Sequence, residues 1–501
     1  MTADGNAAAR RASALLDTPE KAFVLGFVER NAKALTTLSD AVFYFGELGM
    51  QEHRTAGLMT GLLEEHGFRV ERGICGFPTG FLATWSFNPG AAAPVIALHT
   101  EYDSNPKNSQ QPGVTERAEI VPGAPGHCEG HNVNAAVLVT SAIGLRYAME
   151  KFRLRGTLKI FGAPAEEQVL CRPYYVRDGY FDDVDVAIHD HIFDEFKSDY
   201  GLMQAALISA DFNFKGESAH AAMAPWKGRD ALDAVVLMDM GMAQYREHFQ
   251  KGMTAHRVIT NGGDQPNSIP SRASVWWMMR HPDADGAKVL FEQAKKIAQG
   301  ACLMTSTELD VNVRAAVWPV RGNRTMAEVI QANIDAIGMP HWSADEQSFA
   351  RDLQRAARVR DQGLRLEATP LQGPAVQIAA SNDCGDISWK VPMARVWFPG
   401  NVPNVAYHHW SGGAALATSI AHKGGLAGAK ALTTSVIDLL MDPERIEQAK
   451  HTFKLEIGDT RYEPLLPAGQ HPDPDLNRAM MEKFRPLMEP HYVKDRPAFT
   501  V

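Results

Sequence analysis

Along the chain, the spacing of apolar residues switches between a helical and a strand period. Residues 20–67 keep the helical one and predict two amphipathic helices. In the second, Leu58, Leu62 and Leu63 share a face and Gly67 supplies a C-terminal stop. From Phe68 the period shortens, and residues 81–85 and 94–99 are predicted strands. The second is a nearly continuous apolar run of the kind buried in a parallel sheet. A helix follows with Leu138, Ala142, Leu145, Met149 and Phe152 on one side. Residues 156–163, 184–188 and 394–398 are further short apolar strands. Strands alternating with helices predict an α/β fold built on a mostly parallel sheet.

Residues 206–318 have another rhythm. Strands at 206–215, 256–259, 271–280 and 309–318, with helices at 230–249 and 285–304, give the β-α-β-β-α-β order of the ferredoxin-like split unit. Val311, Val313 and Ala315 alternate with polar neighbours, as in an antiparallel sheet covered on one face. The expected organisation is a first domain in two parts, 1–205 and 319–501, with an α+β domain inserted at 206–318. Beyond about residue 442 the chain turns polar and proline-rich, and nothing in its pattern assigns that tail a role.

A length of 501 residues also favours two domains. The net charge of -9 argues against a nucleic-acid partner and leaves small molecules. Five scattered cysteines without a C-x-x-C pair suit a reducing compartment. The first twenty residues lack the apolar core of a signal peptide, and no run of about 18 uncharged apolar residues occurs. A cytoplasmic protein without membrane association is the expectation.

Open α/β sheets bind ligands at the carboxyl ends of their strands. Three predicted strand ends here lead into Glu166-Glu167, His189-Asp190-His191 and His408-His409. A long polar loop leads into Gly126-His127-Cys128-Glu129-Gly130-His131-Asn132, a turn with four potential metal ligands in five positions, 127–131. Pooled, these residues have the composition of a metal site, with two ions in reach. Of the adjacent glutamates, one can bind metal while the other stays free as a general base. Each group also has a plain structural reading: a hydrogen-bonded turn, a solvated Glu-Glu pair, a core histidine bonded to a carbonyl. His408 and His409 compete for one role, and His99 is a further strand-end histidine. In the inserted segment, His220 is either a surface-turn residue or an oxyanion donor. Asn267 and Arg280 become candidates to clamp a substrate carboxylate if a site is nearby. Trp226, Trp276, Trp277, Tyr407 and Trp410 fit either an aromatic pocket or core packing. No G-x-S-x-G elbow or phosphate-binding loop is present, and residues 424–428 suggest close helix packing.

With these residues assembled, the sequence resembles the dinuclear metallopeptidases and amidohydrolases that include carboxypeptidase G, aminoacylase and hippurate hydrolase. The similarity spans about residues 35–435. It is carried by residues 126–132, 164–167, 181–185, 214–216 with 220–222, 228–234, 381–389 and 419–424. The resemblance implies a catalytic α/β domain with an inserted lid that dimerises, giving a homodimer or higher oligomer. It implies Glu166 as general base and acid, and His131, Glu167, His191 and His408 as ligands to two divalent metal ions, manganese or zinc. His220 would polarise the scissile carbonyl in a partner subunit's site, and Asn267 and Arg280 would hold the substrate carboxylate. One departure stands out: relatives read Gly-His-Gly-Cys-Gly-His-Asn, with the cysteine bridging the metals. Here Glu129 occupies that position and Cys128 falls one place early, so Glu129 is the expected bridge. Such a harder ligand set favours manganese. The expected activity is hydrolysis of an amide bond in a small aromatic N-acyl amino acid of the aminobenzoyl-glutamate kind. Hydrolytic deamination of an aromatic amine, or metal or small-molecule binding without catalysis, are the alternatives.

Overall fold

A computed structural model describes residues 15–90 and 92–501. Most of the segment read for a leader, residues 1–14, lies outside them. Six strands form the central sheet: β1 (Arg69–Arg72), β2 (Phe81–Phe87), β3 (Val95–Glu101), β4 (Gly156–Ala163), β5 (Val186–Phe193) and β12 (Met393–Pro399), in the order β1-β2-β4-β3-β5-β12. β4, β3, β5 and β12 run parallel, whereas β2 is antiparallel to β4 and to β1. Register pairs His99 with His189, Arg395 with His189, and Trp397 with His191. Because side chains alternate along a strand, His99, Glu101, His189, His191, Arg395 and Trp397 share one face. On the opposite face Ile96, Leu98, Ile188, Val396 and Phe398 are fully buried in one core with the helices His131–Phe152 and Ser419–Met441. Each such side chain contributes roughly 1.5–3 kcal/mol by leaving water. A Cβ on Gly424 would lie 2.1 Å from the Pro399 carbonyl oxygen, so the glycines of the second helix do serve close packing.

Two expectations need correction. Residues 20–67 form three helices, Pro19–Arg30, Ala32–Phe45 and His53–Glu65. The first two separate at Asn31, whose side-chain amide donates to the carbonyls of Phe27 and Thr500. The strand expected to stop at residue 188 continues through Phe193, because β12 extends its ladder to the Pro399–Phe193 pair. His189, Asp190 and His191 are therefore strand residues, and β3 likewise carries Glu101.

The second sheet comprises β7 (Ala206–Lys215), β8 (Thr254–Asn261), β9 (Arg272–His281) and β10 (Glu308–Val317), all antiparallel in the order β10-β7-β9-β8. Helices Ala231–Tyr245 and Ala284–Thr305 pack with the side that buries Ala273, Val275, Trp277 and Met279. Arg280, next in the alternation, belongs to the other side. A two-residue ribbon, β6 (Gly201–Leu202) with β11 (Arg321–Gly322), ties the ends of this segment together. The tail adds helices Glu444–Ile457 and Arg478–Met488, and Phe484 and Met488 bury against Val121 and Ala124 of the long polar loop. Among the described residues no helix is long and apolar enough to cross a membrane.

Candidate metal centre

The carboxyl ends of β3, β4, β5 and β12 meet the N-terminus of helix His131–Phe152 on one side of a cavity of about 690 Å3. Gly130, the residue before that helix, has φ +108°, and a Cβ there would lie 2.4 Å from Ile192 Cγ2. Only glycine fits this approach, which sets Glu129 and His131 on either side of the turn. The turn after β4 takes left-handed backbone at Ala165, whose N–H donates to the buried Glu52 carboxylate at 2.8 Å. That turn presents Glu166 and Glu167 together.

Glu129, His131 and Glu167 offer donor atoms that all lie within 4.8 Å of one another, and so do Glu101, His131 and His191. Glu129 reaches two imidazoles: Oε1 is 2.6 Å from His408 Nε2, and Oε2 is 3.8 Å from His131 Nε2. His408 Nε2 also lies 3.3 Å from Glu167 Oε2. Glu166 Oε2 lies 3.9 Å from His131 Nε2, while its Oε1 accepts from Asn382 Nδ2 at 2.6 Å. Asp103 joins two of these groups. Its carbonyl accepts from His131 Nδ1 at 3.1 Å, and its Oδ2 accepts from the Glu167 N–H at 3.0 Å.

The imidazoles are oriented as ligands are. His131 and His191 each direct Nδ1 at a main-chain carbonyl, that of Asp103 and, at 2.7 Å, that of Ile192. A proton on Nδ1 leaves Nε2 as a lone pair, and outer hydrogen bonds of this kind set metal-binding tautomers. His131 Nε2, Glu167 Oε1 and Glu101 Oε1 are buried without a hydrogen-bond partner among the described residues. Buried polar atoms are normally satisfied, so these donors fit divalent cations. The charges agree. Burial and the Glu129 carboxylate push Glu167 up to about 8, and burial with Glu101 raises Glu166. The hydrogen bond to Glu129 brings His408 up to about 9, whereas burial takes His191 down to about 4.

Glu129, Glu166, Glu167, His191, Arg280 and His408 line the cavity, and His131 lies in both donor groups. Cys128 is in neither group, and its buried thiol donates to Asn105 Oδ1. His409 Nδ1 bonds the Ser411 hydroxyl instead. His99 is buried inside β3, stacked on His189 at 4.9 Å. His220 and Asn267 are exposed on the inserted segment and do not line the cavity of their own chain. Of the aromatics read from the sequence only Tyr407 lines it, joined by Phe193 and Trp397, which pattern alone had not singled out. Sequence reasoning also passed over Asp103, Asn382 and Arg172. Asn382 lay within the 381–389 motif, but nothing local linked it to Glu166.

A peptidase dimerisation domain matches residues 202–304. One subunit of the p-aminobenzoyl-glutamate hydrolase of Escherichia coli is 31% identical, over 90% of this chain and 98% of its own. The chain belongs to the M20 peptidase family. Mouse Xaa-Arg dipeptidase is 28% identical, over 86% of this chain and 91% of its own. A Bacillus subtilis dinuclear metal binding peptidase of the M20 family superposes with a TM-score of 0.51 at 18% identity, covering 82% of this chain and 99% of its own. As an M20 member the chain is a hydrolase of amide bonds, in a family that uses divalent metals. Its clustered carboxylates and imidazoles suit such ions.

Proposed function

We propose that the protein is a dinuclear metallohydrolase that cleaves an aromatic N-acyl amino acid, such as an aminobenzoyl-glutamate conjugate. The observation that carries this reading is the meeting of Glu129, His131, Glu167, His191 and His408 around Glu166, which has one oxygen pinned by Asn382. Glu129, His131, Glu167, His191 and His408 would hold the two ions. Manganese suits this oxygen and nitrogen set better than zinc. When bound, the ions supply Lewis acidity toward the scissile carbonyl and lower the pKa of the attacking water.

Glu166 Oε2 takes a proton from that water and returns it to the leaving nitrogen. The Asn382 bond to Oε1 keeps the other oxygen turned to its task, and burial raises the carboxyl toward the range a base and acid must share. Arg280 has no carboxylate partner among the described residues and donates only to Ser381 Oγ and Met278 Sδ, which leaves its guanidinium for a substrate carboxylate. Phe193, Trp397 and Tyr407 form an aromatic wall that suits a benzoyl or indolyl acyl group. The similarity to an aminobenzoyl-glutamate hydrolase supports that choice. His220 and Asn267 would act in the partner subunit's site, across a homodimer formed by the inserted segment. Exposed Val258 and Ile259 on edge strand β8, with Val236 and Met240 on the adjoining helix, support such an interface.

The test is glutamate release from aminobenzoyl-glutamate by metal-loaded wild type and Glu166→Gln. The variant should keep its metal and lose turnover by roughly 10²–10⁴-fold. Turnover within a few-fold of wild type would remove Glu166 from the reaction.

A further inference from the structure

We propose that Glu101 is an additional metal ligand, facing the same ion as His131 and His191; this rests on the dinuclear reading above. The Glu101 carboxylate is fully buried and its two oxygens are treated differently. Oε2 accepts from Arg172 Nη2 and, at 2.7 Å, from His189 Nε2. Both donors are themselves fixed. Arg172 also pairs with Asp383, whose Oδ2 accepts from the N–H groups of Cys171 at 3.0 Å and Arg172 at 3.1 Å. His189 Nδ1 receives Arg395 Nε at 2.7 Å. A guanidinium can only donate, so His189 must carry its proton on Nε2, aimed at Glu101. Arg395, His189, Glu101, Arg172 and Asp383 thus form one buried chain, with two cationic and two anionic members.

Such a chain commits Oε2 and leaves Oε1 over. Oε1 is buried, has no hydrogen-bond donor among the described residues, and lies 3.2 Å from His191 Nε2. With its proton on Nδ1 facing the Ile192 carbonyl, His191 presents a lone pair there. Two lone pairs at that distance repel unless something positive lies between them. His131 Nε2 completes the set, again without a partner, and the three donor atoms are mutually within 4.8 Å. A cation held here resolves two unsatisfied buried atoms, Glu101 Oε1 and His131 Nε2, and relieves the facing lone pairs of Glu101 and His191. The buried chain behind Oε2 aims the carboxylate, as outer partners do for metal ligands.

Glu101→Gln provides the test, because the amide keeps the volume. Its oxygen can still accept from Arg172 and His189, and its NH₂ then donates to His191 Nε2 in place of a cation. Cobalt titration by calorimetry should give two equivalents for wild type. In Glu101→Gln one equivalent stays tight, and the other weakens at least about 100-fold with an altered visible cobalt spectrum. A folded variant that binds both equivalents with wild-type affinity and spectrum would overturn the proposal. Should Glu101→Gln not fold, Glu101→Asp retains the charge beside Arg172 while withdrawing the free oxygen from His191. An unchanged second equivalent there would overturn it equally. A wild type that hydrolyses amides and binds two ions, with variants that keep both ions as tightly, sinks only this inference. Wild-type protein that binds fewer than two ions sinks the dinuclear reading with it.

Discussion

His131 and His191 use one ring nitrogen on a main-chain carbonyl and keep the other for the site, so their chemistry is set by backbone they only touch. The same dependence makes Gly130 a sensitive position. Gly130→Ala forces a side chain into left-handed backbone and toward Ile192, at a cost on the order of 1–3 kcal/mol. Relief requires the turn to move Glu129 and His131 apart, so the variant should both melt lower and lose bound metal. A lower melting temperature with metal content intact would show that the turn yields elsewhere. A second residue-scale effect lies away from the ligands. Burial pushes Asp386 up to about 7, although it accepts from the Trp318 N–H at 3.0 Å and the Tyr462 hydroxyl at 2.8 Å. Its folded pKa is above its unfolded one, so its contribution is fully present below about pH 4 and lost as pH rises through about 7. Asp386→Asn has no such titration. Its melting temperature should therefore gain on that of the wild type between pH 5 and pH 8, as parallel thermal melts would reveal.

At the scale of elements, the strands and helices of the inserted segment were legible to within about two residues at each end, except that its first helix stops at Tyr245, four residues short of the expected end. Their alternation and their Asp caps are local signals: Asp230 and Asp283 each accept N–H groups of the helix they begin. The strand ends that carry the candidate ligands were less legible. His189 to His191 look like a polar stop in sequence, yet they continue β5, because β12 pairs along it from some two hundred residues away. Polar residues on an inner sheet face make sense only beside Glu101 and Arg395, and no local pattern reports those neighbours. The tail was illegible for the same reason. Its apolar residues are sparse because they anchor it at a few points: Phe499 stacks on Phe27, and Phe484 and Met488 cover Val121 and Ala124. The contacts of Phe484 and Met488 hold the loop that delivers residues 126–132. Phe484→Ala should accordingly cost about 3 kcal/mol and open residues 106–125 to proteolysis before the rest of the chain. Cleavage first within the inserted segment would deny the tail that bracing role.

For the molecule as a whole, the cavity is bounded on one side by the central sheet and on the other by Arg280 of the second sheet, yet His220 lies outside it. A surface turn at His220 and a donor that reaches across a homodimer predict different behaviour in mixed subunits. His220→Ala and Glu166→Gln should each be nearly inactive alone. When the two are unfolded together and refolded in equal amounts, half of the dimers are mixed. In each mixed dimer one site combines an intact Glu166 with the partner subunit's intact His220, and the other site lacks both. Recovered activity should then approach about a quarter of wild type. The inactive variants must regain nothing when each is refolded separately. If the mixture stays inactive while sizing confirms dimers, His220 serves its own chain after a closure of the second sheet over the first. If His220→Ala alone retains full turnover, the oxyanion donor must be sought elsewhere, among polar groups of the cavity wall such as Arg395 and Asn382.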